Sequence, residues 1–163
     1  MQIREYREDD CSDVTAIFVN AVTVTGLRGY SPEQVSVWAA SGASDDATRE
    51  RCGDGRLVLV AVDENDRAIA FTDLEDDGHI DMLFCLPEWT GRAIASALYE
   101  KLEQIARERG MRRLYVEASE IAKPFFARKG FALLRRNDFE MEGVAIHNYA
   151  MEKVLLGSGA VAG

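Results

Sequence analysis

The sequence predicts a mixed α/β (α+β) fold, one mostly antiparallel sheet of about seven strands with helices on both faces. Three observations carry this. Leu57-Val58-Leu59-Val60-Ala61-Val62 is a continuous apolar run of strand length, the pattern of a strand buried on both sides. Two polar turns follow it, Asp63-Glu64-Asn65-Asp66 and Asp76-Asp77-Gly78, spaced as in an antiparallel meander. Beyond them, helical and strand periods alternate to the end of the chain. With 163 residues, one domain over 1–156 is expected, with 157–163 a flexible tail of small residues.

Each element has its own signal. Gln2 to Tyr6 reads as a short strand. Asp9 and Asp10 offer N-caps to a helix whose Val14, Ile17, Phe18, Ala21 and Val22 share one face, and Gly26 is expected to stop it. Ser31-Pro32-Glu33-Gln34 is a capping box with proline at the first helical position, opening a helix that carries Val35, Trp38 and Ala39 and ends near Gly42. Ser44 caps a short helix to Cys52, closed by Gly53. The meander strands are Leu57–Val62, Ala68–Leu74 and His79–Leu86. A long helix is predicted from about Gly91 to Arg109, with Ile94, Ala97, Leu98, Leu102 and Ile105 inward, a Glu103–Arg107 pair outward and Gly110 as its stop. Leu114–Ala118 is a strand, Ile121–Lys129 a short helix ending at Gly130, and Ala132–Phe139 and Val144–Lys153 complete the sheet.

Composition narrows the function classes. A chain with 28 acidic and 19 basic residues carries a formal charge of −9, which repels phosphate polymers and argues against nucleic acid as a partner. The longest strongly apolar run, Leu57–Val62, is far short of a membrane span, and the charged N-terminus lacks a secretory signal; no membrane partner and a cytoplasmic location are expected. Cys11, Cys52 and Cys85 are odd in number and widely spaced, and only His79 and His147 add imidazole, so neither disulfides nor a metal site is expected.

The segment richest in chemistry runs from Leu83 to Ser96. A strand ends at Pro87, a turn follows, and a helix opens on Gly91, Ala93 and Ala95. The first amides of a helix have no intrahelical acceptor and sit at its positive end, so small residues there let a polyanion approach the backbone, as a pyrophosphate does. The same residues also suit a plain strand-to-helix turn.

Element order and this segment together resemble the GNAT superfamily of acyl-CoA-dependent N-acyltransferases. The family signature Q/R-x-x-G-x-G/A falls on Thr90, Gly91, Arg92, Ala93, Ile94 and Ala95, with threonine for Gln/Arg and alanine for the first signature glycine. A second segment, Ser119-Glu120-Ile121-Ala122-Lys123-Pro124-Phe125-Phe126-Ala127-Arg128-Lys129-Gly130-Phe131, resembles the family's N-x-x-A-x-x-F-Y-E-K-x-G-F, with Ser119 for asparagine and Phe126 for tyrosine. The resemblance covers Ile3 to Lys153.

That resemblance implies an acetyl-CoA-dependent N-acetyltransferase with no metal. It implies a V-shaped gap between the strand at 79–86 and the strand at 114–118, where the pantetheine arm of acetyl-CoA lies against backbone around Phe84, Cys85 and Leu86. One amide there would face the thioester oxygen. Thr90, Gly91, Arg92, Ala93, Ile94, Ala95 and Ser96 would seat the pyrophosphate, with Ser119, Phe126 and Lys129 as further cofactor contacts. Arg92 and Lys129 read equally well as solvated surface charge. Lys123 and Arg128 complete a basic neighbourhood within an otherwise acidic surface.

An amine acceptor must lose a proton before it attacks. His79 and Asp81 fall on the same face of a strand by alternation. Asp81 is the favoured base, in a place similar to the family's glutamate, with His79 as helper or rival and Glu75 and Glu117 in reserve. The tyrosine that protonates the leaving thiolate in the family is replaced by Phe126, leaving Tyr30 or Tyr115 as donor, or departure without help. The connection Gly26–Trp38 walls the acceptor pocket in the family, which points to Leu27, Tyr30, Val35 and Trp38. The acceptor is expected to be a small-molecule or peptide amine, and a homodimer through the C-terminal strands is implied by resemblance. Phe126 and Ala93 also suit a second reading, a catalytically degenerate CoA-binding regulatory module.

Overall fold

The computed structural model describes residues 1–156, and the tail expected over 157–163 lies outside the described residues. The strands are β1 (Gln2–Glu5), β2 (Leu57–Val62), β3 (Ala68–Leu74), β4 (His79–Ile80), β5 (Leu83–Cys85), β6 (Arg113–Ala118), β7 (Ala132–Met141) and β8 (Val144–Val154). The helices are α1 (Cys11–Asn20), α2 (Pro32–Ala40), α3 (Asp45–Cys52), α4 (Ile94–Glu108) and α5 (Lys123–Arg128).

The strands form two four-stranded halves, ordered β1-β2-β3-β5 and β4-β6-β8-β7. Every pairing is antiparallel except β4 with β6. The single strand expected over 79–86 is therefore two, and the count is eight among the described residues. Asp81 and Met82 interrupt it, and its two pieces pair with different neighbours: β4 with β6, β5 with β3.

Strand β2 shows why its sequence is apolar throughout. Leu57, Leu59 and Ala61 pack in a core with α4, α5 and β6, while Val60 and Val62 pack in a second core with α1 and α2. Side chains alternate across a strand, so a central strand covered on both sides has no solvent face to hold polar residues.

Helix boundaries follow capping chemistry where the caps form. Ser31 Oγ accepts from Gln34 N–H and Gln34 Oε1 accepts from Ser31 N–H, the reciprocal box that starts α2. Ser44 Oγ accepts from Ala47 N–H at the start of α3. Two expectations change. Asp10 does not cap α1: its buried carboxylate accepts from Arg7 N–H and from both terminal nitrogens of Arg4 instead. Helix α1 is not stopped at Gly26 but widens into a π-helical turn over Ala21–Thr25, continued by a tight turn over Gly26–Arg28. Gly26 serves close approach: a Cβ there would meet Val35 Cγ2 at 3.2 Å, so its absence lets α2 close on the end of α1.

Gly78 has a different role. Its φ is +94° and a Cβ would strike the carbonyl oxygen of Arg113. Only glycine lets the turn before β4 come close enough for Tyr115 N–H to donate to Gly78 O at 3.0 Å. That contact starts the parallel β4–β6 pairing.

Candidate active site

The site begins with a carboxylate that replaces a rung of the ladder. Asp73 is 2% exposed, and its Oδ1 accepts the backbone N–H groups of Asp81 at 2.8 Å and Met82 at 2.9 Å. Its Oδ2 meets Arg56 Nη1 at 2.9 Å. Burial pushes the Asp73 carboxyl upward in pKa, while the two N–H groups and the guanidinium oppose that shift. Those bonds hold the chain in the break between β4 and β5, and from that point β5 turns away from β6. The result is an open gap between the sheet halves.

Ladder alternation decides which backbone groups face the gap. Leu86 N–H donates to Ile69 O and Met82 O accepts from Asp73 N–H, so residues 82, 84 and 86 are spent on β3. The amides and carbonyls of Leu83 and Cys85 point the other way, along the free edge of β5. Within the expected stretch Phe84 to Leu86, the gap-facing backbone is thus that of Cys85, with Leu83 just outside it.

Two cavities meet along this edge. One of about 190 Å³ runs past Leu83, Cys85, Thr90 and Ala95, roofed by Ala21, Thr25 and Gly26 of the π-helical end of α1. The other, of about 290 Å³, is lined by Phe18, Tyr30, Asp81, Glu117, Phe139, Ile146 and His147, among others. Trp38, Leu83, Phe84, Ser119 and Ala122 belong to both. Ser119 Oγ accepts from Ala122 N–H at 3.1 Å, leaving its own hydrogen for a group in the gap.

The signature turn lies beside the first cavity. Helix α4 starts at Ile94, three residues later than expected, because Gly91 and Ala93 adopt left-handed backbone (φ +78° and +62°). Thr90 Oγ1 caps the turn by donating to Pro87 O, Ile94 is buried, and Ser96 is half-buried on the first turn of α4. Arg92 stacks over Trp89, its guanidinium 4.8 Å from the ring centroid. Leu86 packs against both cores. Lys129 Nζ lies 3.5 Å from Glu100 and beside the rings of Tyr99 and Phe125. Phe126 is 2% exposed, packed edge-on against Tyr99, Phe125 and Phe131, and one edge reaches the second cavity.

The titratable groups form a chain behind the gap. His79 Nε2 meets Glu117 Oε1 at 2.7 Å and its Nδ1 meets Glu75 Oε1 at 2.9 Å. The Glu117 carboxylate, then Glu75, pushes the imidazole pKa up to about 9, so at neutral pH His79 is a cation that holds its proton. Asp81 Oδ2 accepts from Arg56 Nη1 at 3.0 Å, and Oδ1 has no hydrogen-bond partner among the described residues. Arg56 also binds Asp54 and Asp73. Asp81 and Glu117 line the larger cavity; His79 and Glu75 line neither.

Of the expected acceptor-side residues, Tyr30 and Trp38 reach the larger cavity, whereas Leu27 is 52% exposed and reaches neither. The Tyr30 hydroxyl donates to His147 O at 2.8 Å and accepts from Glu120 N–H at 2.9 Å, tying the α1–α2 connection to β8 and the turn after β6. The Tyr115 hydroxyl donates to Asp77, away from both cavities. Sequence reasoning missed Asp73 and Arg56. A signal for the first exists, a carboxylate within the otherwise apolar Ala68–Leu74, whose burial requires partners. Among the described residues no cluster of three or more His, Cys, Asp or Glu side chains is placed to hold a metal ion, and no helix is long and apolar enough to cross a membrane.

Known proteins resemble this chain in sequence and fold. The Acetyltransferase (GNAT) domain family matches residues 27–153. YafP, an uncharacterized N-acetyltransferase of Escherichia coli (strain K12), is 36% identical over 151 residues, spanning 93% of this chain and 94% of that protein. The crystal structure of a GCN5-related N-acetyltransferase from Rhodopseudomonas palustris superposes with a TM-score of 0.87 at 32% identity, covering 94% of this chain and 95% of the other. PaiA N-acetyltransferase from Thermoplasma acidophilum, solved with coenzyme A, shares the fold at a TM-score of 0.73 and 19% identity, over 94% of this chain and 98% of its own. Splayed sheet, signature turn and family match agree: the chain belongs to the GNAT acetyltransferase family and is an acetyl-CoA-dependent acyltransferase.

Proposed function

We propose that the protein transfers an acetyl group from acetyl-CoA to a primary amine by direct attack within a ternary complex. The observation that carries this reading is the meeting of two cavities at the free edge of β5, one beside the signature turn and the other beside Asp81. Acetyl-CoA supplies an activated acyl group on a thioester; the rest is done by this chain.

The residues fit such a cosubstrate. The free edge of β5 offers alternating donors and acceptors to the amides of an extended arm, as a further strand does. Nothing lies within 4 Å of where a Cβ of Gly91 would be, so the turn before α4 is open to a phosphate group. The N–H of Leu83 or Cys85 faces the position of the thioester oxygen and favours charge developing there. A lysine-type amine, with a pKa of ~10.4, arrives protonated. Asp81 receives that proton through its free Oδ1, directly or through one water. Burial pushes the Cys85 thiol up to about 11, so it remains a thiol and is a poor nucleophile, which favours direct attack over an acyl-enzyme.

The test is thiol release from acetyl-CoA by the purified protein across a panel of primary amines, with product mass as the second readout. Amine-dependent release with an acetylated amine as product is expected. Tight acetyl-CoA binding without release for any amine would overturn the proposal in favour of a CoA-binding module.

A further inference from the structure

The larger cavity carries information about the acceptor. Its charged lining consists of the carboxylates of Asp81 and Glu117, with the His147 imidazole held at 2.6 Å by Glu120. No arginine or lysine lines it among the described residues. The guanidinium behind Asp81, that of Arg56, is already engaged by three aspartates, 54, 73 and 81, and cannot turn to meet a ligand anion without abandoning them.

The same cavity has an aromatic lining in Phe18, Tyr30, Trp38 and Phe84. Trp38 sits 5.4 Å from Tyr30 and 6.2 Å from Phe84, and Phe84 packs edge-on against Phe18 at 5.2 Å. These rings brace one another across α1, α2 and β5, so the wall is a fixed surface that suits a flat apolar body. Carboxylates and rings thus line one cavity, which suits a ligand that carries both an ammonium and an apolar body.

We infer that the acceptor is an arylalkylamine: a primary amine on a short apolar arm, ending in an aromatic body and carrying no anionic group. This deepens the amine-acetylation reading and rests on it. An α-amino acid of the same shape brings a carboxylate to a cavity lined by Asp81 and Glu117, whose own cations, Arg56 and His79, are already engaged, so like charges are placed together. An aliphatic diamine satisfies both carboxylates but brings no apolar body to the rings.

The experiment compares matched acceptors at fixed acetyl-CoA: tryptamine with tryptophan, tyramine with tyrosine, and putrescine as the diamine. The expected result is a kcat/KM for each arylalkylamine at least about 100-fold above that of its amino acid. It is also expected to exceed that of putrescine. Equal or better use of the amino acids overturns the inference, as does putrescine ranking first. Glu117→Gln should narrow the tryptamine–tryptophan gap about tenfold, because one repelling charge is removed; an unchanged gap overturns the assignment.

Should no amine release thiol, the amine-acetylation reading fails, and calorimetry on the CoA-saturated protein still reads the cavity. Tryptamine binding without tryptophan binding then supports the inference about the cavity. Equal binding, or no binding of either, overturns it.

Discussion

The Asp73 carboxylate accepts the backbone N–H of Asp81 at 2.8 Å, and that bond marks where one expected strand becomes two. The strand-breaking residue is not in the broken strand. It lies on β3, buried at 2% exposure, and is held in an apolar sheet by Arg56 and two backbone N–H groups. Asp73→Ala removes the acceptor for two N–H groups and the partner of a largely buried guanidinium. Loss of one partner of a buried pair costs about 3–5 kcal/mol, roughly 2–4 °C in Tm per kcal/mol for a chain of this size. Urea melts of the variant check the first figure, and its acetyl-CoA affinity should fall with the order of the β5 edge.

Asp81→Asn keeps the shape of the side chain and its contact with Arg56 while removing the proposed base. A fall in kcat of about 10²–10⁴ is expected with little change in acetyl-CoA binding, since the proposed cosubstrate site is the β5 edge and the signature turn. Arg56 retains Asp54 and Asp73, so the melting temperature should stay near that of the parent. Steady-state kinetics beside a thermal melt separate the two effects.

His79 carries the pH dependence. Its folded-state pKa of about 9 lies above the ordinary 6.5, so the folded protein binds this proton more tightly than the unfolded chain does. The stability it contributes is complete below about pH 6.5 and is lost as pH rises through about 9. Part of the ring and both carboxylates remain in contact with water, which screens the interaction and brings the expected contribution down to about 1–2 kcal/mol. Urea denaturation at pH 6 and pH 9.5 should show that extra loss in the parent and not in His79→Gln.

Ala93 sits at φ +62°, where a Cβ costs an L-residue roughly 1–2 kcal/mol. Glycine relieves that strain but adds freedom to the unfolded chain, so Ala93→Gly should stabilise by about 1 kcal/mol or less. The same change removes a methyl beside the expected pyrophosphate position, and KM for acetyl-CoA should fall. A thermal melt and a KM measurement check the two parts separately.

Tyr30 joins three segments through one hydroxyl. Tyr30→Phe leaves the carbonyl of His147 and the N–H of Glu120 without this partner, at a cost of about 1–3 kcal/mol. Burial pushes the phenol's pKa above its ordinary value, so the hydroxyl keeps its proton and its donor role through neutral pH. Chemical denaturation of the variant reads the loss.

Much of this architecture is legible without coordinates. The run Leu57–Val62 announces a central strand, the Ser31-Pro32-Glu33-Gln34 box places the start of α2, and the imperfect signature Thr90–Ala95 locates the turn before α4. These features are local: a strand period, a reciprocal cap and a small-residue turn act over a few neighbouring residues. The π-helical end of α1, which Gly26 lets α2 approach closely, has no local pattern to announce it, and the late start of α4 has none because backbone handedness at Ala93 cannot be read from a methyl side chain.

By itself, then, the sequence determined the order of elements, the apolar faces and the family to which they point. Tertiary structure alone decided what those elements do together. The side chain of Asp73 had to reach across to the amides of Asp81 and Met82 before the sheet could split. Glu117 and Glu75 had to converge on His79 before an apparent base became a fixed cation. Two carboxylates and a set of braced rings, drawn from α1, the α1–α2 connection, α2, β5, β6 and the β4–β5 break, had to share one cavity before an acceptor could be proposed. Periodicity and capping are properties of neighbours in the chain, whereas charge state and cavity shape depend on residues that only folding brings within a few ångströms.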